Sequence, residues 1–211
     1  KNIFFQSMPI TVSICGYALA AAIIFTYVGQ SGEYAAAGYG AGTRIEQVVL
    51  LPILGINTAI ISIIAQNYGA KNYNRIKETY ITAIKYSFAI MVISGTIVFI
   101  TAGFITSIFS NDLEVIEYGK RYLKISAFVL PAYPVFFLSN GFFMALKKSE
   151  MAMISNLFRN VLNPIVVFYI AKYIDASFNT FFWIWVGINW FFSISYFMII
   201  IFYFKTRLDK S

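Results

Sequence analysis

An acidic residue interrupts an otherwise apolar stretch of this chain at Glu46, within the segment GAGTRIEQVVLLP. If the surrounding helix begins near Tyr34, Glu46 lies roughly 12 residues into it, or roughly 18 Å along its axis. That depth is more than half of a bilayer's hydrocarbon core, which is about 30 Å thick. A charged group at that depth raises the free energy of membrane insertion by about 2.5–3.5 kcal/mol. Such a group is retained where it faces a cavity, a partner or a solute path. Glu46 therefore indicates a site for a cation or a drug, with structural pairing inside a helix bundle as the alternative.

Helical geometry separates Glu46 from its basic neighbour Arg44. Residues two positions apart point to different sides of a helix, so these two charges do not simply neutralise each other. Glu46 instead shares a face with Gly42, one turn earlier, and with Asn57, about three turns later. Small residues on such a face let a neighbouring helix or a solute approach closely. We therefore predict that Glu46, Gly42 and Asn57 line a cavity, whereas Arg44 and the nearby Gln47 have structural roles.

Three prolines interrupt the apolar runs that carry these polar groups. Pro52 follows Glu46, while Pro131 and Pro134 precede Asn140 in the segment SAFVLPAYPVFFLSNGFFMALKK. Proline removes a backbone donor and clashes with the preceding helical turn. Broken helices with polar groups at membrane depth are typical of transport sites. The pattern predicts hinges at Pro52, Pro131 and Pro134, beside a solute path that includes Asn140.

The composition excludes most catalytic chemistry. The chain has no histidine and a single cysteine, Cys15, which excludes disulfides within the chain, histidine metal sites, catalytic triads and paired-cysteine zinc sites. The segment GYGAGTR lacks the Gly-Lys-Ser/Thr ending of a phosphate-binding loop. No paired carboxylates suited to hydrolysis are present within the apolar runs. We therefore expect neither an enzyme nor a bound cofactor.

Long uncharged runs indicate a membrane protein. Hydrophobic residues make up 59% of the chain and charged residues only 12%, against about 25% charged in soluble domains. Each run is near or above the roughly 20 residues that cross a bilayer as a helix. In the fifth and weakest run, we expect Arg159 to be structural, with its side chain reaching toward the cytoplasmic edge. The predicted fold is all-α with six transmembrane helices, at about 8–28, 34–66, 84–110, 120–146, 151–172 and 178–204.

The basic residues fall in short clusters between these spans rather than along one face, which argues against a nucleic-acid partner. With six spans, ten basic residues lie on the side of both termini and four on the opposite side. The positive-inside rule then places both termini in the cytoplasm. The basic, amphipathic stretch at about 71–83 is expected to form a short helix along the cytoplasmic surface, or a simple solvated connector.

One region of about 45 residues carries a recognisable pattern. Its elements are a small-residue entry, an arginine and a glutamate two residues apart, a proline, and a Gln-Asn-x-Gly-Ala end, found at 35–42, Arg44, Glu46, Pro52 and 66–70. This pattern resembles the eighth transmembrane helix and following loop of multidrug and toxic compound extrusion (MATE) transporters. The resemblance implies one six-helix lobe, the C-terminal one, of a two-lobe protein.

The family resemblance also implies an activity. Such proteins export organic cations from the cell in exchange for protons or sodium, so we expect a coupling ion, a small amphipathic substrate, and a multi-pass protein of the plasma (inner) membrane. A MATE-like N-terminal lobe would be the partner, in the same longer chain or in a separate one. The acidic residues that the sodium-coupled branch carries in the first and fourth spans are missing here, and Tyr17 and Asn140 are the nearest polar candidates.

Two other functions stay open. A lipid-linked saccharide flippase of the same superfamily would have a cavity lined with arginine and lysine, for which only Arg44 and Arg159 are available. A membrane scaffold or half-protein that does not transport is the second alternative. It would show no ion-driven efflux when it is combined with an N-terminal lobe.

Overall fold

The computed structural model describes the backbone of residues 2–208 and the side chains of residues 15–206. All regular structure in this part of the chain is helical, which confirms the all-α prediction. A 3₁₀ turn covers Leu130–Ala132, and π-helical segments cover Phe158–Leu162 and Phe204–Leu208. The α-helices are α1 (Asn2–Gly29), α2 (Glu33–Val49), α3 (Leu51–Gly69), α4 (Tyr73–Ser107), α5 (Leu113–Ser126), α6 (Tyr133–Ala145), α7 (Ser149–Leu157), α8 (Asn163–Tyr173) and α9 (Phe178–Tyr203).

Several of these helices join end to end into longer apolar segments. Five segments are long and apolar enough to cross a membrane, and Cys15–Gly29 of α1 adds a shorter apolar one among the described residues. The pairs α2–α3, α5–α6 and α7–α8 each form one such segment. The chain is therefore a multi-pass membrane protein. The segment Leu113–Ala145 lies at the centre of the lobe. In its most apolar 18-residue stretch 72% of the residues are buried, against 17–28% in the corresponding stretches of the other four segments.

The stretch at about 71–83 differs from its prediction. It is neither a separate surface helix nor a connector, because α4 begins at Tyr73 and continues without a break to Ser107. Asn72 caps this helix, with its side chain accepting a hydrogen bond from the backbone N–H of Arg75. No glycine or proline follows until Gly95, so nothing ends the helix between the loop and the bilayer.

Small residues set the distance between α2 and α5. A Cβ atom on Gly38 would lie 2.7 Å from the backbone nitrogen of Gly119 and 2.7 Å from the carbonyl oxygen of Val115. A Cβ atom on Gly119 itself would lie 2.5 Å from Thr106 of α4 and 3.1 Å from the carbonyl oxygen of Gly38. Helix backbones come this close only where side chains are absent. The glycines thus fix α2 against the central segment, and α2 carries Glu46.

The three predicted hinge prolines lie at two helix junctions. Helix α2 ends at Val49 and α3 begins at Leu51, so that Pro52 lies in the first turn of α3. The backbone N–H of Leu50 still donates to the carbonyl oxygen of Glu46, and that of Leu54 donates to Leu50, so helical hydrogen bonds continue across the junction. Pro131 lies in the 3₁₀ turn before α6, and Pro134 lies in the first turn of α6. Movement at these three prolines remains a prediction.

The Gly38 contact generates a stability prediction. We expect Gly38→Ala to lower the free energy of unfolding by about 1–3 kcal/mol, because the added methyl group meets backbone atoms that cannot move aside. Thermal unfolding in detergent, followed by circular dichroism, measures the change.

Gly40→Ala on the same helix is the matched control, since no atom lies within 4 Å of a Cβ placed there. We expect this variant to be as stable as the wild type or slightly more so, because alanine favours a helix over glycine. Equal losses in both variants would contradict close packing at Gly38.

Candidate functional site

A cavity of about 140 Å³ lies beside Glu46, where α1, α2, the central segment, the first π-helical segment and α9 meet. Its wall is mainly aromatic and aliphatic, with one carboxylate and one guanidinium group among the residues that line it. The lining residues are Tyr17, Ala20, Ala21, Ile24, Tyr39, Thr43, Glu46, Gln47, Leu50, Tyr122, Tyr133, Phe137, Arg159, Asn160, Phe182 and Trp185. Apolar walls with a few convergent polar groups are typical of small-molecule sites.

Two tyrosines of the central segment hold the Glu46 carboxylate. The hydroxyl of Tyr133 donates to Oε1 at 2.6 Å, and the hydroxyl of Tyr122 donates to Oε2. Each carboxylate oxygen therefore has a donor from a different helix, α6 or α5. Hydrogen bonds to a charged acceptor are stronger than neutral ones, and they offset part of the cost of placing a carboxylate in a membrane.

The position of Tyr122 depends on glycine and on neighbouring rings. A Cβ atom on Gly42 would collide with the Tyr122 ring, so the ring occupies the space that this glycine leaves open. The ring also packs edge-on against Tyr39 at 5.0 Å and Phe182 at 4.9 Å, measured between ring centroids. Edge-to-face pairs of this kind stabilise one ring orientation. Helices α2, α5 and α9 thus fix the hydroxyl that reaches Glu46.

Arg159 lies in the same cavity wall, on the first π-helical segment. Its guanidinium carbon lies 4.2 Å from the ring centroid of Phe136, 4.7 Å from that of Tyr133 and 5.4 Å from that of Phe137. A guanidinium over aromatic faces is stabilised by cation–π attraction. The side chain therefore packs among aromatic rings of the lobe, whereas the sequence predicted that it extends toward the cytoplasmic edge.

Two other residues predicted from the sequence also line the cavity. Tyr17 of α1 and Gln47 of α2 lie in its wall, so the structure brings Tyr17 together with Glu46. Gln47 was expected to be structural. Gly42 has no place in the lining and instead contacts the Tyr122 ring.

The remaining predicted polar residues lie elsewhere. Asn57 packs between α3 and α6 against Gly141, and its Oδ1 is buried without a hydrogen-bond partner among the described residues. Asn140 joins a polar chain in which Tyr196 donates to its Oδ1 and its Nδ2 donates to Asn156. Arg44 is exposed and does not line the cavity. Neither Asn57 nor Asn140 therefore lines the cavity around Glu46.

The two tyrosines that hold Glu46 were not among the residues predicted from the sequence. A usable signal existed, because Tyr122 and Tyr133 are separated by roughly 11 residues, or roughly three helical turns, and so return to one face. Tyr133 also stands between two predicted hinges, Pro131 and Pro134. Pairing either hydroxyl with Glu46 would still have required knowing that α2 packs against α5.

Comparisons with known proteins agree with this architecture. The family model MatE matches residues 9–169 of the chain. The FAD transporter of Shewanella oneidensis is 26% identical over 162 residues, which are 75% of this chain and 35% of that protein. The probable multidrug resistance protein YpnP of Bacillus subtilis is 24% identical over 164 residues, 78% of this chain and 34% of that protein.

Solved structures match over nearly the whole chain. A MATE protein crystallised in complex with MaL6 superposes with a TM-score of 0.90 over 97% of this chain, at 19% sequence identity. The match covers 46% of that protein. The chain therefore has the fold of about half of a MATE transporter, and it spans about a third of the curated relatives it matches.

The paired hydrogen bonds on Glu46 generate a second prediction. We expect Tyr122→Phe to lower the free energy of unfolding by about 1.5–3 kcal/mol, the usual contribution of a hydrogen bond to a charged group. In a Glu46→Gln background the same substitution should cost clearly less, because the charged acceptor is gone. Thermal unfolding of the four proteins measures this coupling.

Tyr118→Phe, one turn earlier on α5, is the control and should show no dependence on residue 46. Equal costs for Tyr122→Phe in both backgrounds would contradict a charge-assisted bond between Tyr122 and Glu46.

Proposed function

This chain belongs to the MatE family, and we propose that it forms the C-terminal lobe of a two-lobe secondary antiporter. Family members are transporters and not enzymes. An N-terminal lobe, in the same longer chain or in a separate one, completes the transporter in the plasma (inner) membrane, with both termini of this lobe in the cytoplasm. The coupling ion is a proton or sodium, and no resident cofactor is required. The match to about half of a MATE structure supports this division into lobes.

The substrates are amphipathic organic cations, and the Glu46 carboxylate in its aromatic cavity is the observation that carries this proposal. Each of its oxygens is held by a tyrosine hydroxyl, so the acceptor is fixed in position before a cation arrives. Tyr39, Phe182 and Trp185 supply aromatic faces in the same wall. Aromatic faces attract organic cations. Exclusion of water from the cavity strengthens this attraction and also the attraction between the cation and the Glu46 carboxylate.

Alternating access follows from where the helix breaks lie. Leu50, at the α2–α3 junction, and Tyr133, at the start of α6, both line the cavity. A change of angle at either junction moves a group that contacts the site directly. In the exchange step, a proton or sodium ion replaces the organic cation at Glu46, so that the carboxylate is neutralised in both directions of transport.

Arg159 favours a second candidate, in which the cavity binds an anionic aromatic solute. Its guanidinium shares the wall with Glu46, and a guanidinium recognises carboxylate and phosphate groups in a bidentate manner. One relative, at 26% identity, is named as an FAD transporter. The lipid-linked saccharide flippase has less support, since Arg159 is the one basic residue among the described residues that line the cavity. A scaffold that does not transport predicts no efflux at all.

Efflux by the complete two-lobe transporter in proteoliposomes separates these functions. We expect Glu46→Gln to reduce ethidium efflux at least about tenfold, because the loss of a charge interaction in the partly buried cavity is worth more than about 1.4 kcal/mol. Expression and thermal stability are measured in parallel.

Glu33→Gln, at the exposed start of α2, is the matched control and should transport like the wild type. Efflux unchanged by Glu46→Gln but lost in Arg159→Gln would favour the anionic substrate. The absence of efflux in the wild type under both proton and sodium gradients would favour the scaffold.

A further inference from the structure

A second space opens on the outer side of Arg159. It is a crevice of about 280 Å³ between α7 with the first π-helical segment on one side and α9 on the other, with Phe136 of α6 among its lining residues. Met151, Phe191 and Ile199 are among the residues that line it, and all three are exposed. Exposed apolar side chains on a membrane-spanning helix contact lipid wherever no other protein covers them, so the crevice has an open, apolar mouth.

Arg159 separates this crevice from the central cavity. Its side chain lines both spaces, and its guanidinium stacks on Phe136, which lines the crevice, and on Tyr133 and Phe137, which line the cavity. The remaining described residues that line the crevice are apolar or uncharged, including Ser155. The crevice therefore has an apolar body and one positive group at its inner end.

We propose that the crevice binds a single-chain anionic amphiphile from the bilayer, a long-chain carboxylate, with its alkyl chain between α7 and α9 and its carboxylate paired with Arg159. Charge complementarity favours this occupant over a neutral or cationic one, because no carboxylate lines the described crevice. A guanidinium forms paired, charge-assisted hydrogen bonds with a carboxylate. This site is distinct from the cation site at Glu46, and binding to it does not depend on transport.

Depth favours a single chain over a phospholipid. Lys148 immediately precedes α7, and basic residues at helix ends lie at the membrane interface. Arg159 follows roughly 11 residues later, or roughly 16 Å along the helix axis, about half-way through the hydrocarbon core. A phospholipid headgroup remains at the interface, whereas a chain with a small carboxylate reaches this depth once an arginine pairs with it. The volume of the crevice, about 280 Å³, is also just below the range of roughly 300–1,000 Å³ that is typical of sites for drug-sized ligands.

The π-helical segment gives Arg159 room to respond to the occupant. Phe158–Leu162 interrupts the α-helix that contains Arg159, and Pro164 follows in the first turn of α8. Such π-helical turns are local irregularities that are frequent at functional sites. A bound carboxylate would draw the guanidinium outward, away from the wall that it shares with Glu46. Occupancy of the crevice therefore changes the charge that faces the central cavity.

Photolabelling of the complete two-lobe transporter in lipid nanodiscs tests the site. The probes are a fatty acid with a diazirine on its chain and the matching fatty alcohol, and labelled residues are mapped by mass spectrometry. We expect the acid to label α7 and α9 beside the crevice about tenfold more than the alcohol, because only the acid pairs with Arg159. In Arg159→Gln, labelling by the acid should fall to the level of the alcohol.

Blocking variants locate the labelling. Ser195→Trp fills the crevice from α9 and should abolish labelling there, whereas Ile194→Trp, on the same helix but outside the crevice, should leave it unchanged. Met151→Trp fills the crevice from the other side if Ser195→Trp does not fold. Equal labelling by acid and alcohol, retention of the preference in Arg159→Gln, or stronger labelling by a diazirine phospholipid would each overturn the proposal. Because labelling is read without transport, its failure leaves the cation site at Glu46 unaffected.

Discussion

A carboxylate placed in a membrane has to be hydrogen-bonded, and this requirement organises the lobe around Glu46. Two hydroxyls from two helices meet its two oxygens. For them to reach it, α2 has to lie close to the central segment, which Gly38, Gly42 and Gly119 allow because they have no side chains. Substitution of any of these glycines by a larger residue would separate the donors from their acceptor. The small-residue packing and the polar site are therefore one structural unit.

The same unit lies beside the places where the helices are interrupted. The α2–α3 junction follows Glu46 within one turn, and Tyr133 begins α6 directly after a 3₁₀ turn. Bending at either place would change the distance between Glu46 and a phenol hydroxyl. Arg159 brings a positive charge to the same wall on a third irregular segment. Three interrupted helices thus meet at the cavity, and these interruptions are where we predict that the site changes shape.

Much of the fold was predictable from the sequence, because long uncharged runs in a membrane have few alternatives to helices. Glu46 was also predictable as a polar residue at membrane depth, since its depth follows from residue counting. The tyrosines that hold it, and the position of Arg159 over three aromatic rings, depend on which helix faces which, and periodicity does not determine that. Asn57 illustrates the limit. It shares a helical face with Glu46 by spacing, but the junction at Leu50 separates the two, and Asn57 packs against Gly141.

The central claim is that the Glu46 carboxylate contacts the transported cation. Infrared difference spectroscopy on the complete two-lobe transporter, with and without tetraphenylphosphonium, tests this contact most directly. Binding should change the carboxylate stretching bands of the wild type, and this change should be absent from Glu46→Gln and retained in Glu33→Gln. An unchanged carboxylate spectrum on binding in the wild type, or the same difference spectrum in Glu46→Gln, would contradict the claim.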